Sequence, residues 1–130
     1  TRGKPITTET KVLLCDQMGQ LRALYALADI AFVGGSIAKR GGHNALEPAV
    51  FNVPIIMGSS RFNNPAICQA LEVSGALKLT ETVDDIITQC TYWLANEEQR
   101  KADGVAGGSV LNTNKGAVEK TLEIIGQKQV

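Results

Sequence analysis

The sequence has a single histidine, His43, so it cannot supply a multi-histidine metal centre. Its three cysteines, Cys15, Cys68 and Cys90, are far apart and include no CxxC pair. An odd number of cysteines in apolar contexts reads as small buried hydrophobes, not as a disulfide framework or a zinc site. Neither sign of charge is in excess, with 13 Lys and Arg against 13 Asp and Glu. That balance argues against a nucleic-acid-binding face and against a polybasic membrane contact. No apolar run approaches the ~20 residues of a membrane span, and no signal peptide is recognisable. The GxGxxG dinucleotide fingerprint and the Walker string are both missing. His43 has no preferred partner for a Ser–His–Asp set. Aromatic residues make up 5%, and Tyr25, Tyr92 and Trp93 lie on helical stretches, where packing is their expected role.

What is present is an ordinary soluble composition, with 44% apolar and 20% charged residues. A chain of 130 residues is one domain with a core of its own. It begins Thr1-Arg2-Gly3-Lys4-Pro5 and reaches an expected strand almost at once. It is therefore expected to be a piece of a larger protein.

Short apolar runs alternate with helical patterns. Strands are expected at Lys11–Asp16, Ile30–Val33, Val53–Met57 and Ala76–Leu79. Helices are expected at Leu21–Ala28, Asn44 to about Val50, Pro65–Val73 and Thr82–Leu94. The last of these places Val83, Ile86, Ile87, Cys90 and Leu94 on one face. Two more helices are expected at Glu97 to about Val105 and at Lys115–Ile125. Gly107-Gly108 would separate them, and Asn112-Thr113-Asn114 would cap the second. Continuously apolar strands alternating with helices give an α/β fold with a parallel sheet, a doubly wound Rossmann-like layout.

In such a sheet, ligands bind beyond the carboxyl ends of the strands. The segments there are Asp16-Gln17-Met18-Gly19-Gln20, Gly34-Gly35-Ser36, Gly58-Ser59-Ser60-Arg61, and the loop Lys39-Arg40-Gly41-Gly42-His43-Asn44 that leads into a helix. Gly41-Gly42 before a helix start would offer free backbone amides to an anion, with Lys39, Arg40 and His43 beside them. An ordinary turn and cap explains the same letters: Asn44 is a good N-cap and Glu47 would complete a capping box. Pro48 would remove an early bond of that helix. If the helix starts later, the Glu47 carboxylate stays free to face a ligand. The sequence leaves both arrangements open.

The strings Asp16-Gln17-Met18-Gly19-Gln20-Leu21, Phe32-Val33-Gly34-Gly35-Ser36 and Gly41-Gly42-His43-Asn44-Ala45-Leu46-Glu47-Pro48 resemble the carboxy-terminal domain of bacterial 3-deoxy-D-manno-octulosonic acid (Kdo) transferases, from about Thr10 to Glu97. The resemblance implies half of a GT-B fold, whose carboxy-terminal domain binds the donor CMP-Kdo. The amino-terminal domain, absent from this chain, would hold the lipid A precursor (lipid IVA), the catalytic base and the membrane anchor. It implies inverting, metal-independent transfer at the cytoplasmic side of the bacterial inner membrane, in lipopolysaccharide core biosynthesis. No cofactor, no nucleic acid and no catalytic residue in this chain are expected, and the chain alone should be inactive.

Carried over, Glu47 is similar to the residue that accepts hydrogen bonds from the donor ribose. Gly41, Gly42, His43 and Asn44, with Arg40, resemble the loop over the donor's phosphate and sugar carboxylate. Gly34, Gly35 and Ser36 resemble the floor beneath it, and Met18-Gly19 the turn passing the cytosine. Gly58 and Asn63 match a second loop. Gln20 stands where the family often has Glu, Ser59 and Ser60 replace its Pro and His or Tyr, and its Pro-Arg-His loop would lie upstream of Thr1. Two other readings share the fold: a donor domain for a UDP-sugar, and a non-catalytic flavodoxin-like interaction module.

Overall fold

A computed structural model describes residues 6–127, with side chains described through residue 113. The Thr1–Pro5 start therefore lies outside the described residues. The elements run α1 (Leu21–Tyr25), β1 (Ala31–Val33), α2 (Leu46–Val50), β2 (Ile55–Gly58), α3 (Pro65–Val73), β3 (Leu77–Thr80), α4 (Val83–Ala95) and α5 (Glu97–Gln127). The strands form one parallel sheet in the order β1-β2-β3. Ala31 faces Ile55 in register, and Ile55 in turn faces Leu77.

The central strand β2 is buried along its whole length, as a strand covered on both faces must be. Val33, Ile55, Met57, Cys68, Leu71, Ala76 and Leu77 make the core with Ala45 and Ala49 of the α2 region. The Cys68 thiol is accordingly pushed above its ordinary pKa, mainly by burial. Helix α3 starts with Pro65 at its first position and ends at Ser74-Gly75, where Gly75 takes φ +88°. Helix α2 ends on Asn52 at φ +57°. The Asn52 and Val53 amides donate to the carbonyls of Ala49 and Pro48, which satisfies the helix end.

The sheet has one strand fewer than the sequence suggested. Lys11–Asp16 is not a strand: Val12 is 85% exposed and Leu14 69% exposed. An apolar run becomes a strand only by docking on a ladder, and among the described residues β1 pairs with β2 alone. Helix α1 is also shorter than expected, closing at Tyr25.

Helix α4 is capped as a box. The Thr82 side chain accepts from the Asp85 amide, and the Asp85 side chain accepts from the Thr82 amide. Its inward face is not the expected one. Val83, Ile87 and Leu94 are exposed, and Trp93 is the fully buried residue, with Ile86, Gln89 and Cys90 partly covered. The Trp93 indole donates to Asp103 Oδ2 at 2.8 Å, so a polar anchor sets the rotation of the helix. Trp93 is therefore a core residue, as expected.

The two expected C-terminal helices are one. Helix α5 runs from Glu97 to Gln127 without a break at Gly107-Gly108, and Asn112-Thr113 lie inside it. The glycines are there for contact. A Cβ on Gly104 would sit 1.9 Å from the Asn52 carbonyl oxygen, and one on Gly108 would sit 2.1 Å from Asn52 Oδ1. Gly107 faces Ala76 in the same stripe. Small residues at this spacing share a helix face and let α5 close onto the end of α2. No helix among the described residues is long and apolar enough to cross a membrane.

Candidate functional site

The loops after β1 and β2 are stitched together at the carboxyl edge of the sheet. Ser36 is fully buried. Its hydroxyl donates to the Val33 carbonyl at 2.7 Å and accepts from the Gly58 amide at 2.8 Å. The Ser60 amide donates to the Ser36 carbonyl. Gly58 has no room for a side chain, since a Cβ would lie 2.6 Å from the Ser36 and Ile37 backbone.

The segment from Gly34 to His43 folds back on itself. The amides of Arg40 and Gly42 both donate to the Gly35 carbonyl, and the His43 amide donates to Gly34. The Gly41 amide donates to Ser60 Oγ at 3.0 Å. Asn63 closes the loop from outside: its side-chain amide donates to the carbonyls of Arg40 and Gly42, and its backbone amide to Gly41. Gly41 and Gly42 are buried with φ of +84° and +70°, and Lys39 takes φ +53°.

This wiring corrects one expectation. The Gly41 and Gly42 amides do not point free toward an anion, because both donate inside the protein, as does the His43 amide. The glycines serve the loop's shape, and the side chains on it are what a ligand can meet. The His43 imidazole is exposed and lies against Gly34 and Gly35, where a Cβ on Gly35 would come 3.2 Å from the ring. The Lys39 and Arg40 side chains are exposed. Ser36, a candidate for the floor, is a buried staple beneath it.

Beyond His43, Asn44 is not an N-cap in the expected sense. Ala45 occupies that position, and Asn44 Oδ1 accepts from the Leu46 amide at 3.1 Å. Asn44 Nδ2 donates to Glu47 Oε1 at 3.4 Å in place of a capping box. Helix α2 therefore starts late. Pro48 falls in its first turn, where an amide has no intrahelical partner anyway. Of the two arrangements left open by the sequence, this is the one that leaves Glu47 at the head of the helix.

Glu47 and Asn44 line a cleft of about 390 Å³ between α1 and α2, together with Arg22, Leu46 and Val50. The Tyr25 hydroxyl nearby has its pKa raised, first by burial and then by the Glu47 charge. Arg22 was not visible as a site residue in the sequence. The signal was the Met18-Gly19 turn, since it launches the helix that carries Arg22. Met18 itself is almost wholly exposed and Gly19 turns with φ +82° in open space. The structure thus gathers Gly34, Gly35, Ser36, Gly41, Gly42 and His43 into one stitched loop around the Arg40 backbone. It puts Asn44 and Glu47 at an adjoining cleft and leaves Met18 and Gly19 on the approach to α1. Arg61, from the second loop, pairs with Glu72 of α3.

No family model matches the chain. Among curated proteins, it is 44% identical over 117 residues to the 3-deoxy-D-manno-octulosonic acid transferase of Haemophilus influenzae, which covers 89% of this chain and 27% of that protein. It is 34% identical over 111 residues to the transferase of the same name from Chlamydia pneumoniae, covering 85% of this chain and 25% of that protein. The chain therefore spans about a quarter of the length of these relatives. Among solved structures, it superposes on the C-terminal CMP-Kdo binding domain of WaaA from Acinetobacter baumannii with a TM-score of 0.78 and 34% identity, covering 84% of this chain and 57% of that one. The Rossmann-like layout is thus that of one half of a GT-B fold, and the chain belongs to the 3-deoxy-D-manno-octulosonic acid transferase family as its carboxy-terminal domain.

Proposed function

We propose that this chain binds CMP-Kdo as the donor domain of a Kdo transferase. The whole enzyme would transfer Kdo to a lipid A precursor, lipid IVA, in lipopolysaccharide core biosynthesis, by an inverting reaction that needs no metal. The observation that carries the reading is the placement of His43, Asn44 and Glu47. All three lie on one pinned segment at the carboxyl edge of the sheet, within a fold shared with a CMP-Kdo binding domain. Glu47 has one carboxylate oxygen held by Asn44. Its other oxygen is suited to accept from vicinal hydroxyls of a ribose, a pair of bonds of the charge-assisted kind.

The division of labour follows from what the chain holds. Its site residues bind and orient; none is placed here as a general base. Binding energy from the nucleotide would hold the sugar in position for an acceptor presented by a second domain, which lowers the entropic part of the barrier. That second domain would bring the base, the acceptor and the contact with the cytoplasmic face of the inner membrane. This chain alone is expected to bind the donor weakly and transfer nothing.

The test is a titration of the chain with CMP, read by amide chemical shifts, with UMP as the control. Shifts centred on His43, Asn44 and Glu47 with CMP ahead of UMP support the reading. Silence with both at millimolar concentration rejects it, and a preference for UMP and UDP over CMP would assign the domain to a UDP-sugar enzyme.

A further inference from the structure

The cleft beside Glu47 has a composition that the loop does not. It is lined by one carboxylate, Glu47, one amide, Asn44, one guanidinium, Arg22, and two apolar side chains, Leu46 and Val50. Lys39 and Arg40, the cations suggested by sequence for an anionic group, do not line it. The Gly41 and Gly42 amides, the other sequence candidates, are spent on Ser60 and Gly35. A phosphate entering this cleft would meet the like charge of Glu47 and would need a cation to offset it. Arg22 is the cation that lines the cleft.

Arg22 is also held where such a role requires. Its guanidinium carbon lies 5.9 Å from the centroid of the Phe51 ring, within reach of a cation–π contact. A guanidinium braced on an aromatic ring keeps its N–H edges for a planar or tetrahedral anion, and loses less freedom when it binds one. Among the described residues Arg22 forms no ion pair that would have to be broken first: the pairs there are Arg61–Glu72, Arg100–Asp29 and Lys101–Glu97.

We propose that Arg22 is a phosphate-binding and specificity-determining residue of the donor site. It holds the phosphate of a nucleoside monophosphate whose ribose is held by Glu47, across the cleft between α1 and α2. The inference rests on the reading of Glu47 as the ribose acceptor. It moves the charge that meets the phosphate from the glycine loop to α1. The apolar side chains Leu46 and Val50 supply the dry wall against which a nucleoside can rest.

The experiment compares CMP with cytidine, which lacks the phosphate, on the whole 130-residue chain. Dissociation constants are taken from amide shifts of Asn44 and Glu47 for the unaltered chain, Arg22→Gln and Arg22→Lys. The unaltered chain should bind CMP more tightly than cytidine. Arg22→Gln should weaken CMP by roughly tenfold, the scale of one charge-assisted contact, and leave cytidine within about twofold. Arg22→Lys should recover part of the loss, because it keeps the charge without the fork. The CMP advantage of the unaltered chain should also shrink as salt rises. Equal losses on CMP and cytidine would make Arg22 a wall of the cleft and overturn the proposal, as would an Arg22→Gln chain that binds CMP unchanged. Binding of cytidine as tight as CMP by the unaltered chain would overturn it while leaving Glu47's role standing. Binding of neither ligand would reject both.

Discussion

The imidazole of His43 rests on the backbone of Gly35: a Cβ placed there would come 3.2 Å from both Cδ2 and Nε2 of the ring. Gly35 also takes φ +71°, a conformation that costs an L side chain about 1–2 kcal/mol. The glycine thus does two things, turning the chain out of β1 and making a seat for His43. Gly35→Ala is expected to lower stability by about 1–2 kcal/mol and to push the ring off its seat, weakening CMP binding beyond what stability explains. His43→Ala, by contrast, removes an exposed side chain and should leave the melting temperature nearly unchanged while weakening CMP. Chemical denaturation and a CMP titration on both variants separate the two effects. Equal CMP affinity in all three chains would remove His43 from the site.

Ser36 joins the end of β1 to the end of β2 through one hydroxyl. Ser36→Ala leaves the Gly58 amide buried without its acceptor. The cost of such an orphan is about 1–3 kcal/mol, more than the value of an average hydrogen bond. Urea unfolding should show a lower midpoint with an unchanged slope. Ser36→Gly should be worse, since it adds backbone freedom to the same loss. A Ser36→Ala midpoint equal to that of the unaltered chain would mean the staple carries no net stability.

Much of this was legible beforehand, for reasons that differ by residue. Val53–Met57 reads as a buried strand because it is continuously apolar and stopped by Gly58, and β2 is indeed buried throughout. Pro65–Val73 carries its own start in Pro65 and its own stop in Gly75, so α3 has the expected ends. The failures have one origin, which is contact with a partner distant in sequence. Lys11–Asp16 has the composition of a strand, but no composition supplies a neighbour. Gly107-Gly108 looks like a break between two helices until Ala76 is seen beneath Gly107 and Asn52 beneath Gly108. Gly41 and Gly42 look like an anion nest until Ser60 and Gly35 claim their amides. The candidate-site letters Gly34 to Glu47 stand out in the sequence, while the proposed role of Arg22 does not, because only packing of α1 on α2 brings it to the cleft lined by Glu47.

The Asp85 carboxylate is held below its ordinary pKa of 3.8 by hydrogen bonds from the Thr82 amide and side chain and then from the Glu81 amide. A carboxyl whose pKa is depressed by folding adds stability that is fully present above its unfolded value and is lost as pH falls through the folded one. Asp85 is fully solvent-accessible, so the effect should be small and local to α4. Asp85→Asn should melt lower than the unaltered chain at pH 7, and the difference should narrow as pH drops below about 4. Melting curves by circular dichroism between pH 2 and pH 7 measure it. A difference that stays constant across that range would show that shape, not charge, makes the cap.

Gly104 offers the sharpest contrast between propensity and packing. In an exposed helix interior, Gly→Ala gains about 1 kcal/mol, because glycine has more freedom to lose. Here the new methyl would lie 1.9 Å from the Asn52 carbonyl oxygen and 2.8 Å from its carbon. Both are backbone atoms, held at φ +57° in the αL turn that ends α2. Neither can rotate aside, so α5 or the turn must move. Overpacking of that kind costs about 1–3 kcal/mol, and the sign of the substitution should reverse. Ser109→Ala on the same helix is the control: Ser109 is exposed, and its hydroxyl bonds back to the Val105 carbonyl, so its loss should be neutral or slightly stabilising. Thermal melts of the two variants side by side decide it. If Gly104→Ala melts higher than the unaltered chain, the contact of α5 with the Asn52 backbone does not limit the packing at Gly104.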